Sequence, residues 1–106
     1  MSFLKKLKNL KIPSHDIRKK ELWDAEGIIE GVSNQVLKFD LRPVKNNVKG
    51  GYFNTKADKM VFDIKNQWII VDLEELHDYL KRNNLKKANL EDLISALDWN
   101  IILPKN

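Results

Sequence analysis

The chain contains no cysteine, which excludes disulfides, thiolate metal sites and cysteine nucleophiles. Small secreted domains usually depend on such cross-links, so the absence points to a cytoplasmic setting. No apolar run approaches the roughly 18 residues of a membrane span; the longest candidate, Trp68 to Val71, is strand-sized. The lysine-bearing N-terminus lacks the continuous apolar stretch of a secretory signal. Neither glycine-rich phosphate motif occurs, and Gly50-Gly51 supports only a turn. The two histidines, His15 and His77, are far apart with no evident third ligand, so they point to no histidine-based metal site, and the sequence implies no cofactor.

What is present suits one domain spanning residues 1–106. Apolar residues at 42% suffice for a modest core, and 32% charged residues leave enough aromatic and β-branched side chains to order it. The net charge of +4 is uneven. Residues 1–20 are strongly basic, with Asp16 the one acid, whereas residues 72–98 are acidic on balance. A basic head of this kind can meet an anionic partner or simply be solvated.

Hydrophobic periodicity divides the chain into helical ends and a stranded middle. Residues 2–12 read as a short amphipathic helix with Phe3, Leu4, Leu7 and Leu10 on one face, stopped by Pro13. Ser14 caps a second helix running toward Gly27, with Ile17, Leu22, Trp23 and Ala25 as its core residues. Period two follows. Strands over 28–32 and 36–41 flank Ser33-Asn34-Gln35, residues 43–51 form a flexible loop, and Tyr52-Phe53 starts a short strand. A hairpin then joins 60–65 to 68–71. Asp72 caps a helix with Glu75 in capping-box position, Asn89 caps another carrying Leu90, Leu93, Ile94 and Leu97, and 99–103 is a final strand. The expected fold class is α+β: a mostly antiparallel sheet of about five strands, with N-terminal and C-terminal helices packed mainly on one face. Leu37, Phe39, Leu41, Phe62 and Ile64 are expected on one buried side, with Lys38, Asp40, Asp63 and Lys65 in solvent.

Three kinds of site compete. Asp63-Ile64-Lys65 has the acid-x-lysine form of metal-dependent nucleases, in which carboxylates hold Mg²⁺ and the lysine activates water; Asp40 or Asp58 and Glu30 fill the remaining places. The plainer account makes Asp63 and Lys65 ordinary solvent-facing strand residues. Lys45, Lys49, Lys56 and Lys59 around Tyr52 and Phe53 combine phosphate-tracking charge with stacking rings, the usual single-strand nucleic-acid combination; the plainer account is a solubilised loop over core aromatics. Finally, Phe3, Leu4, Leu7 and Leu10 form a partner-binding face on a detachable element, residues 1–12, whose partner is another protein or a second copy rather than a membrane surface. Elimination favours a small, non-enzymatic protein-interaction or accessory domain, and the lysine- and asparagine-rich usage suits a bacterium or mobile element. The alternative is a nucleic-acid binder or small nuclease.

Overall fold

Six strands form a curled mixed sheet and three helices complete an α+β domain in the computed structural model, which describes residues 3–32, 34–43, 47–49 and 55–105. In chain order these are a single 3-10 turn (Phe3–Lys6), β1 (Leu7–Lys11), α1 (His15–Glu21), β2 (Ala25–Ile29), β3 (Leu37–Pro43), β4 (Asn47–Lys49), β5 (Lys59–Asp63), β6 (Gln67–Asp72), α2 (Leu73–Arg82), β7 (Lys87–Asn89), α3 (Leu90–Ala96) and β8 (Asn100–Pro104). The large sheet runs β1-β2-β3-β5-β6-β8, and β4 pairs with β7 in a separate ribbon.

The C-terminal half follows the sequence closely. Asp72 caps α2, its carboxylate accepting from the Glu75 N–H at 3.1 Å, and Asn89 caps α3 by accepting from Glu91 N–H at 2.8 Å. Leu73, Leu76, Leu80, Leu90, Leu93 and Leu97 are buried against Met60, Phe62, Ile69 and Val71 on one face of the sheet. Phe39, Val61, Trp68 and Ile70 face the other way, into the concave side of the curl, with Ala25, Ile29 and Leu37. Strand β5 is thus buried on both faces, which explains its uninterrupted run Met60-Val61-Phe62.

The N-terminal half differs from the expected pattern. The described part of the helix expected over 2–12 is not an α-helix: Phe3–Lys6 make the 3-10 turn and Leu7–Lys11 the edge strand β1, antiparallel to β2. An eleven-residue helix is marginal in isolation, and the open side of β2 offers ladder hydrogen bonds that outweigh helical periodicity. Asn9 takes a left-handed φ of 55° where the register with β2 shifts between Lys8 and Lys11. Phe3 and Leu7 lie in the concave core, on the face opposite α2 and α3, while Leu10 is exposed. Helix α1 is half its expected length and buries none of its residues. It stops at Leu22, which is left-handed with φ 63°, and its N–H bonds back to Arg18. Ile17 and Leu22 are exposed, whereas Trp23 and Ala25 are buried after the chain has left the helix.

The sheet also departs from antiparallel in one place. Strands β3 and β5 run parallel, Phe39 opposite Lys59 and Pro43 opposite Asp63. Fifteen residues (44–58) separate them, long enough for a crossover rather than a hairpin. This parallel pairing puts Phe62 and Ile64 beneath the helices and Leu37, Phe39 and Leu41 in the concave core, so the five residues do not share one side. Asp40, expected in solvent, is buried.

Gly27 marks the close approach of β1 to β2. A Cβ there would lie 3.0 Å from both Leu7 Cβ and the Lys8 carbonyl oxygen. Gly27→Ala is expected to destabilise the fold by about 1–3 kcal/mol through overpacking. A urea melt checks this; an unchanged midpoint would mean that β1 shifts freely.

Candidate functional site

The carboxylates of the nuclease pattern are held apart. Asp40 faces the helix side, and its two oxygens accept from Arg42 Nε and Nη2 at 2.9 and 3.0 Å. The hydrogen bonds to Asp40 push the Arg42 guanidinium's pKa above its ordinary value against the opposing effect of burial, with the charges of Asp40 and Asp24 adding to it. Asp58 precedes β5, its carboxylate accepting from Lys38 N–H at 2.9 Å. Asp63 ends β5 at the opposite end and pairs with Lys105. Lys65 is exposed in the β5–β6 turn, and Glu30 sits beyond β2 in a surface pair with Lys8. Asp58 and Asp63 are five residues apart on extended chain, roughly 16 Å. Among the described residues no group of three histidine, aspartate or glutamate side chains is placed to hold a metal ion.

The basic cluster is only partly visible. Lys45, Tyr52 and Phe53 lie outside the described residues, as does the Lys49 side chain, although its backbone belongs to β4. Of the loop expected at 43–51, residues 44–46, 50 and 51 lie outside the described residues, whereas Asn47–Lys49 are not loop but strand β4, held by its pairing with β7. Lys56 is exposed. Lys59 is not a surface cation: its ammonium is 2.8 Å from Asp72 Oδ1 and 3.8 Å from the centre of the Trp99 ring.

A shallow cleft of about 370 Å³ opens beside this pair, with Asp58, Glu74 and His77 on its walls. Two of its three acids are already engaged, Asp72 as the α2 cap and Asp58 on the β3 backbone. Near α1, Glu21 accepts from the Trp23 indole N–H at 2.8 Å. That hydrogen bond, with a smaller contribution from Lys38, lowers the Glu21 pKa below its ordinary 4.5. These groups fasten 21–24 and 55–58 to the sheet, since Lys56 N–H also donates to the Glu21 carbonyl and Asp24 accepts from Leu41 N–H.

The feature left open lies at the sheet's edges. At one end, β1 carries Lys8 and Lys11 and a register shift, devices that discourage pairing with another strand. At the other end, β8 reads Asn-Ile-Ile-Leu-Pro, without an ionisable side chain. Ile101 and Leu103 are half-buried toward the concave core, and Ile102 is 43% exposed. Among the described residues no strand lies on the outer side of β8.

Hydrogen-bond phase fixes which β8 groups face outward. Asp72 N–H donates to the Trp99 carbonyl, and Lys105 N–H donates to the Asn66 carbonyl. Ile70 opposite Ile101 and Trp68 opposite Leu103 continue that phase, so the odd-numbered residues spend their main-chain groups on β6. The main-chain N–H and C=O of Asn100 and Ile102 therefore point away from the sheet, together with the Pro104 carbonyl. The strand is held in place from its start: Glu75 accepts from Trp99 N–H at 3.1 Å, and the Asn100 side chain donates to the Ile94 and Leu97 carbonyls at 3.0 and 2.7 Å. This site was missed in the sequence, although the uncharged run between Asp98 and Lys105 was its signal.

Comparisons with protein-family models, with curated proteins and with solved structures find no match for the chain.

Proposed function

We propose that the chain is a small non-enzymatic protein-interaction domain that receives an extended segment along β8. The carrying observation is the pair of outward main-chain positions, Asn100 and Ile102, on an edge that lacks charge and is pinned at its start. Strand addition draws its affinity from just such unused backbone groups, and its selectivity from the alternating side chains beside them. The scattered carboxylates support a non-catalytic role, and the cysteine-free composition suits a reducing compartment such as the cytoplasm.

The test is an NMR titration of the labelled protein with a seven-residue peptide of alternating valine and threonine. Shift changes are expected to concentrate at Asn100, Ile102 and their neighbours. Ile102→Pro removes an N–H that β6 does not use, an edge position where proline is tolerated, and is expected to weaken the peptide at least tenfold. Changes centred elsewhere, or equal binding by the proline variant, would overturn the reading.

A further inference from the structure

Building on this strand-addition reading, we infer that the segment received at β8 is the β8 strand of a second copy of this chain, antiparallel and centred on Ile102. The outward groups are self-complementary about a two-fold axis at that residue. Ile102 exchanges both main-chain hydrogen bonds with its counterpart, and Asn100 N–H of each copy meets the Pro104 carbonyl of the other. Pro104 has no N–H to offer, so just one of the two bonds of that flanking pair is lost. The same register sets Ile101 beside Leu103 of the second copy on the concave face, and Ile102 beside Ile102 on the helical face. These are the apolar side chains that the single chain leaves partly in water.

Charge selects this edge over the other. Two copies each bearing a net +4 repel at long range, and the basic residues gather at the head of the chain. Pairing β1 with itself would bring Lys8 and Lys11 of the two copies together, whereas β8 presents no ionisable side chain from Asn100 to Pro104. An isologous pair also closes on itself, joining two six-stranded sheets without leaving β8 open for a third copy. One strand pair is a small interface, so dissociation constants on the order of micromolar are expected.

The absence of native cysteine gives a clean test. In this register the two Ile102 Cα atoms lie about 5.5 Å apart, inside the roughly 4.4–6.8 Å window of a disulfide. Oxidised Ile102→Cys is expected to run mainly as a covalent dimer, twice 12.4 kDa, while Leu10→Cys on the β1 edge stays single. Light scattering on the unmodified chain should show its mass rising with concentration from one chain to two and stopping there. Ile102→Lys should remain one chain throughout and melt within a few degrees of the parent. A mass fixed at one chain, with equal cross-linking of the two cysteine variants, would overturn self-pairing. If the peptide titration still succeeded, the edge would belong to another protein's strand, and only if it also failed would the strand-addition reading fall. Growth past two chains would overturn the two-fold arrangement in favour of β8 pairing head-to-tail with β1.

Discussion

Phe3→Ala is expected to cost about 3–5 kcal/mol, the range for truncating a buried phenylalanine. The ring is 3% exposed and stacks edge-on against Phe39 and Trp68, with centroids 5.4 and 6.0 Å away. It closes the concave core where the sheet curls, and no other residue of the 3-10 turn is buried. For a domain of this size the loss corresponds to a fall in melting temperature on the order of 15–30 °C. Thermal and urea melts check the figure. A midpoint within a degree of the parent would mean that the first twelve residues are the separable element their helical pattern suggests. Deleting that segment would then leave the fold intact.

The second large effect is expected at Asp40 and Arg42. The Asp40 carboxylate is 4% exposed and takes both its bonds from the Arg42 guanidinium, itself 42% exposed. Arg42→Ala leaves a desolvated charge behind and should cost about 3 kcal/mol, the low end for breaking a buried pair because the arginine side still meets water. Replacing both partners by leucine removes the stranded charge and should recover most of that loss. A double-mutant cycle in urea measures the coupling. Additive losses would show that Asp40 finds solvent or another donor once Arg42 is gone.

How much of this was legible in the sequence varies with the source of each constraint. Asp72 and Asn89 cap their helices as local chemistry requires, and the leucine stripes behind them lie in the core. The head misled because Phe3, Leu4, Leu7 and Leu10 satisfy a helical period, while the decisive factor was the free side of β2, which is remote in sequence. Alternation correctly separated Phe39 and Leu41 from Lys38, but it could not show that β3 and β5 pair in parallel. That pairing buries Asp40 beside Arg42 and turns Phe62 to the other face. The final strand was legible as a strand. Its position at the edge was not, because edge status depends on which strands fail to pair with it. The absence of a lysine between Asp98 and Lys105 becomes meaningful only beside the lysines of β1.

Amide hydrogen exchange read residue by residue along β8 tests the open edge most directly. In dilute solution Ile101 and Leu103, whose N–H groups bond to β6, and Lys105, whose N–H bonds to Asn66 just before it, are expected to exchange at least about 100-fold more slowly than Asn100 and Ile102. Raising the protein concentration should slow Asn100 and Ile102 alone. Equal protection of Ile101 and Ile102 in the dilute chain would mean that β8 is already covered, and would contradict the account.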